Sequence, residues 1–201
     1  MPKQNHTEIV CIIDRSGSME SIKTDAIGGF NNFLEAQKKL PGTASIYLVL
    51  FDNEYETPIQ NVDIKAVEPL TEKSFIPRGS TALLDAVGRT INEVGTRFAN
   101  MQEQDRPEKV MVCILTDGLE NASREFSRLK IKEMVEHQRD KYKWEFMFLA
   151  ANQDAFTEAG SIGISKNMAV NFEQTGDGTR AAYDSLNMMV SEFRTKPPKK
   201  K

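Results

Sequence analysis

Three oxygen-bearing side chains stand at alternate positions of one short stretch: Asp14, Ser16 and Ser18. An apolar run, Ile9, Val10, Cys11, Ile12 and Ile13, precedes them, and a helical pattern follows. A carboxylate and two hydroxyls at that spacing, in a strand-to-helix loop, offer three hard oxygens to one small divalent cation. Two further clusters carry the same chemistry. Gly79, Ser80 and Thr81 open a second helical stretch, and Thr116, Asp117 and Gly118 close another apolar run. In an open α/β sheet, ligands gather beyond the carboxyl ends of the strands, near the point where strand order reverses. If the strands ending at Asp14 and Thr116 are neighbours, the three clusters converge. Each cluster also has a plainer reading. Asp14, Ser16, Ser18, Ser80 and Thr81 are ordinary helix-capping types, and Asp117-Gly118 is a common turn pair.

The elements that must position these groups follow from apolar periodicity. Strands are expected at 8–14, 45–51, 55–64, 109–115, 145–151 and 168–172. Helices are expected at 19–40, 81–101, 126–142, 154–160 and 179–193. Pro41-Gly42 stops the first helix, and Asp52-Asn53-Glu54 marks a tight turn that returns the third strand as a hairpin partner. Glu56, Pro58, Gln60 and Asp63 suit that strand to a sheet edge. Strands alternating with helices predict a mainly parallel sheet covered on both sides. No linker or repeat divides the chain, so one domain is expected over 8–194, with loose ends at 1–7 and 195–201.

Composition narrows the function. Of 201 residues, 27% are charged and 39% hydrophobic, and the formal net charge is −3. That balance suits a globular domain and gives no basic surface for nucleic acid or anionic membrane. The basic tail, Lys196, Lys199, Lys200 and Lys201, is too short to change this and reads as a solvated end. Cys11 and Cys113 lie inside apolar runs and are expected to be buried free thiols. With no apolar leader and no membrane-length run, a cytoplasmic setting is expected.

Enzymatic readings meet obstacles at particular residues. A Mg²⁺-dependent phosphoryl-transfer hydrolase of the haloacid-dehalogenase type is the rival. It also begins from an aspartate after strand one, but needs a second aspartate two residues later, where this chain has Ser16. A receiver domain needs a lysine at the end of the fifth strand, where Ala150, Ala151 and Asn152 stand. No Gly-Lys-Ser/Thr sequence exists for a phosphate loop. The run Gly176-Asp177-Gly178-Thr179-Arg180-Ala181 fits a relaxed dinucleotide fingerprint, yet no strand follows it, and a turn leading into a helix explains it better. The two histidines are His6, near the amino end, and His137, inside a helical pattern. Neither gives a serine nucleophile its base.

Asp14, Ser16 and Ser18, followed at a distance by Thr81 and then Asp117, resemble the metal-ion-dependent adhesion site of von Willebrand factor type A domains. The resemblance runs from about Glu8 to Phe193, and its small single-domain form is like those of bacteria and phages. It implies a Rossmann-like, doubly wound sheet of six strands in the order 3-2-1-4-5-6, with strand three antiparallel at an edge. It also implies that those five residues hold Mg²⁺ or Mn²⁺, the two aspartates acting largely through bound water. The cation would then accept an Asp or Glu from an unidentified partner protein, so the domain would bind rather than catalyse. Arg15, Arg78, Glu120 and Asn121 flank this set and are candidates for a partner-binding rim. Arg15 and Arg78 have the geometry to grip a carboxylate in bidentate fashion. The plainer reading of each is a solvated surface charge.

Overall fold

The apolar runs become central strands because a sheet covered on both faces must be apolar at every position. The computed structural model describes residues 2–151 and 154–196. Its strands are β1 (Lys3–Asp14), β2 (Thr43–Phe51), β3 (Tyr55–Asp63), β4 (Pro107–Thr116), β5 (Glu145–Ala151) and β6 (Ala169–Phe172). Its helices are α1 (Lys23–Lys38), α2 (Leu83–Asn100), α3 (Arg128–Tyr142), α4 (Ala155–Ser161) and α5 (Gly176–Thr195). The six strands make one sheet in the order β3-β2-β1-β4-β5-β6. Every neighbouring pair is parallel except β2 with β3. This is the architecture expected from the sequence, including the antiparallel edge.

Alternation along the strands divides the core into two layers. Ile9, Cys11 and Ile13 of β1, with Met111, Cys113 and Leu115 of β4, face the side covered by α1 and α5. Val10 and Ile12, with Val112 and Ile114, face the side covered by α2, α3 and α4. Tight packing explains two glycines. A Cβ on Gly29 of α1 would lie 2.2 Å from the Tyr183 ring of α5. One on Gly88 of α2 would lie 2.6 Å from the Phe126 ring. The register sets Cys11 beside Cys113 and Ile13 beside Leu115, which brings the carboxyl ends of β1 and β4 side by side. Cys11 and Cys113 are buried free thiols.

The amino end differs from expectation. Residues 3–7 are strand rather than loose end: Lys3 pairs with Pro107 of β4, and His6 with Thr43 of β2. The His6 ring bonds the hydroxyls of Thr43 (2.8 Å) and Ser45 (3.1 Å), and burial lowers its pKa. The first helix is also compound. A 3-10 stretch, Gly17–Ile22, leads into α1. Helices α2 and α3 each start two residues later than their spacing predicts, because the preceding residues are taken up by the loops at the carboxyl end of the sheet. Helix α5 starts three residues earlier, with the Thr175 hydroxyl accepting the Gly178 N–H at 3.0 Å. The dinucleotide-like run therefore forms helical turns. Residues 197–201 of the basic tail, and Asn152, lie outside the described residues.

Candidate metal centre

The capping explanation for the hydroxyls fails on geometry. Ser16 sits at the N-cap of the 3-10 stretch, yet its side chain makes no capping bond. Its Oγ lies 3.1 Å from the Ser18 Oγ. Thr81 does not cap α2 either. The first helical N–H groups there are taken by other loops: Leu84 N–H donates to Glu120 Oε2 (2.9 Å) and Asp85 N–H to Ser123 Oγ (3.1 Å). The hydroxyls of Ser16 and Thr81 thus cap neither helix, and Ser18 lies beside Ser16.

Gly118 marks the point on which they converge. A Cβ built there would stand 3.1 Å from Thr81 Oγ1, 3.6 Å from Ser18 Oγ and 4.0 Å from Ser16 Oγ. A side chain at 118 would press on the Thr81 hydroxyl and reach van der Waals contact with the two serine hydroxyls, so glycine keeps that space open. The carboxylates border the same cluster. Asp117 Oδ1 accepts from the Ser18 hydroxyl at 2.6 Å. Asp14, fully buried, accepts the Ser16 N–H on Oδ1 (2.6 Å) and the Thr116 hydroxyl on Oδ2 (2.6 Å). The five residues singled out by spacing are therefore brought to one place.

Electrostatics describe a site short of positive charge. Burial pushes the Asp14 carboxyl up to about 6 against the hydrogen bonds from Thr116 and Ser16, and the charge of Asp117 adds to the rise. Burial also raises Asp117, while bonds from Ser18 and Gln174 oppose it. Two acids that resist ionisation beside neutral hydroxyls form a donor set that a hard dication suits: it would neutralise both and use oxygen lone pairs. Among the described residues, no group of three or more His, Cys, Asp or Glu side chains is placed to hold a metal. A centre here would have two carboxylates and otherwise hydroxyls and water.

The four expected rim residues are engaged with the protein itself. Arg15 is buried, not solvated: its Nε donates to Asp52 Oδ2 at 3.0 Å and its Nη1 to Glu56 at 2.8 Å. Arg78 is exposed but shares the same Asp52 oxygen at 2.9 Å and also bonds Glu54 and Glu56. Asn121 Oδ1 accepts the Thr81 N–H at 2.9 Å, and Thr81 O accepts the backbone N–H groups of Asn121 and Ala122. These are positioning groups. Backbone bonds add to them: Gly17 N–H donates to Gly79 O (3.2 Å) and Arg78 N–H to Arg15 O (2.8 Å), joining the Asp14 and Thr81 loops.

Spacing missed the roles of three residues. Thr116 is legible afterwards from register, since Ile13 faces Leu115 and places Asp14 beside Thr116. Asp52 was read only as part of a turn. Gln174, between β6 and α5, donates to Asp117 Oδ2 (2.6 Å) and Ser18 O (3.0 Å) across more than fifty and one hundred fifty residues of sequence, and no local signal marks it.

No family model matches the sequence, and no curated protein sequence matches it. Solved structures do. Proximal thread matrix protein 1 from the mussel byssus, with a zinc-occupied metal-ion-dependent adhesion site, is 16% identical with a TM-score of 0.62, over 92% of this chain and 46% of that one. The pilus adhesin SpaC from Lactobacillus rhamnosus GG in its open conformation is 14% identical with a TM-score of 0.68, over 95% and 31%. The von Willebrand factor domain of the type V pili tip protein Mfa5 from Porphyromonas gingivalis is 12% identical with a TM-score of 0.62, over 96% and 98%. This chain thus spans less than half of the first two proteins and nearly all of the third domain. At such identities the likeness speaks for the fold: this chain has the α/β fold of von Willebrand factor type A domains.

Proposed function

We propose that this chain is a divalent-metal-dependent protein-binding domain. Asp14, Ser16, Ser18, Thr81 and Asp117 would hold Mg²⁺ or Mn²⁺, and an Asp or Glu of a partner protein would complete the cation's shell. The observation that carries this reading is the approach of three hydroxyls, none of which caps a helix, to one point at Gly118, bordered by two carboxylates whose ionisation burial disfavours. Mg²⁺ takes near-octahedral oxygen ligands and keeps several waters, one of which a carboxylate can replace. The zinc-occupied site of the mussel protein favours a dication on this fold and leaves the choice of metal to experiment.

A binding role accords with the named neighbours, which are a thread matrix protein, a pilus adhesin and a pilus tip domain. The phosphoryl-transfer alternative is not supported. Ser16 stands where its acid–base aspartate would be, and its hydroxyl lies 3.1 Å from a second serine hydroxyl. No helix among the described residues is long and apolar enough to cross a membrane. A cytoplasmic setting remains part of the proposal, on the strength of the two free buried thiols. The domain proposed is 8–194, and strand β1 begins ahead of it at Lys3.

The test is calorimetric titration of Mg²⁺ and Mn²⁺ into EDTA-stripped wild type and Asp14→Ala, with melting temperature followed in parallel. Wild type should bind one ion and melt higher with the logarithm of ligand excess over Kd, because a ligand of the native state stabilises it. Identical responses in the two proteins would remove the site assignment.

A further inference from the structure

A polar cavity of about 620 Å³ adjoins the Thr81 loop and shares Ser80 and Asn121 with it. Five charged residues line it: Glu54, Asp85, Arg89, Arg124 and Glu125. Four are satisfied within the protein. Glu54 pairs with Arg78, and Arg89 with Glu125. The Asp85 carboxylate accepts backbone N–H groups of Arg124 (2.8 Å), Glu125 (2.9 Å) and Phe126 (3.0 Å). The Arg124 guanidinium is exposed, and among the described residues no hydrogen bond or ion pair engages it. Its backbone, however, is pinned to α2 through Asp85. Arg124 is thus the one cation of the lining whose head group has no partner among the described residues, and it stands on a fixed root.

We propose that this cavity is the second contact of the partner, and that the partner is an acidic peptide segment carrying two carboxylates. One would complete the cation's shell, and the other would seat against Arg124. This rests on the metal-dependent reading above and adds the partner's chemistry to it. A guanidinium presents a planar fork that matches a carboxylate with two parallel hydrogen bonds. A dication and a free arginine on one face both favour anions, and a like-charged partner is penalised at both points. The hydroxyl and amide groups of Ser80, Ser123 and Asn53 in the lining suit the polar backbone of an extended segment rather than an apolar anchor. Two linked contacts also fix the spacing between the partner's acids, because the second engages at the effective concentration set by the first.

The experiment uses a displayed random-decapeptide library panned on the full chain in Mg²⁺ and eluted with EDTA, so that metal-dependent binders alone are collected. Wild type should enrich peptides with two Asp or Glu residues at a preferred spacing. Arg124→Ala should enrich peptides with a single required acid. A synthesised wild-type winner should bind Arg124→Ala about 10-fold or more weakly, the loss expected for a charge-assisted hydrogen bond, with Arg124→Lys between the two. Unchanged melting of Arg124→Ala would exclude a folding cause. If wild type and Arg124→Ala select peptides of the same acid content and bind the winner equally, the second contact is refuted while the metal-dependent reading stands. If wild type yields no EDTA-released peptides, both fall.

Discussion

Replacing Asp52 tests how the fold holds its two site loops. Its side chain is fully buried, and Oδ2 is shared by Arg15 Nε at 3.0 Å and Arg78 Nε at 2.9 Å. Its Oδ1 accepts the Glu54 N–H at 2.5 Å. Asp52→Ala strips the carboxylate from Arg15, whose side chain is only 5% exposed. Removing one partner of a buried ion pair costs about 3–5 kcal/mol, since the other charge stays buried. Glu56 still reaches Arg15, but its side chain is 49% exposed and the pair is screened, so it offsets a minor part. We expect a loss of about 3 kcal/mol or more, read by urea unfolding in EDTA. The control is Glu54→Ala, whose pair with Arg78 is exposed on both sides and should change stability by less than about 1 kcal/mol. Asp52 touches none of the proposed ligands, yet its backbone oxygen holds Ala82 N–H, and Arg15 and Arg78 flank the two loops. Mg²⁺ affinity should therefore fall on the order of 10–100-fold, as when a group that orients metal ligands is lost. A destabilisation no larger than that of Glu54→Ala would refute the buried-pair argument. Full destabilisation with unchanged Mg²⁺ affinity would show that Asp52 serves stability alone.

Neighbouring glycines of α1 should respond in opposite directions. Gly29→Ala drives a methyl into the Tyr183 ring and should cost about 1–3 kcal/mol by overpacking, whereas Gly28→Ala meets nothing within 4 Å and should stabilise by about 0.5–1 kcal/mol; two melting curves decide. Burial, with Lys3 and Arg194, lowers the His6 pKa against the opposing pull of Asp63. The native state thus binds this proton less readily than the unfolded chain. Its stabilisation is present above the unfolded value near 6.5 and is lost as pH falls through the folded value. His6→Gln should lose less stability than wild type between pH 7 and pH 5, and parallel unfolding curves for the two would contradict this. Gln174→Glu sets a third carboxylate against Asp117. It should lower the melting temperature in EDTA and raise Mg²⁺ affinity by calorimetry; weaker Mg²⁺ binding would mean that Gln174 faces away from the cation.

Much of this protein was legible in the chain. Strand β1 is recognisable from its unbroken apolar run because both its faces are buried, and the same holds for β4 and β5. Asp14, Ser16, Ser18 and Asp117 are recognisable because polar side chains directly after an apolar strand stand out against it. Such local features follow from periodicity and composition, which act over a few residues. Tertiary structure decided the rest, because contacts between distant segments depend on register and shared burial. Pairing of Ile13 with Leu115 made Asp14 and Asp117 neighbours and brought in Thr116. The same packing turned Arg15 from an expected surface charge into a buried partner of Asp52, and recruited Gln174 to Asp117. Residue types in order thus named the candidate ligands. Only the fold determined that Ser16, Ser18 and Thr81, each an ordinary capping type, leave the capping of their helices to other groups and meet beside Gly118.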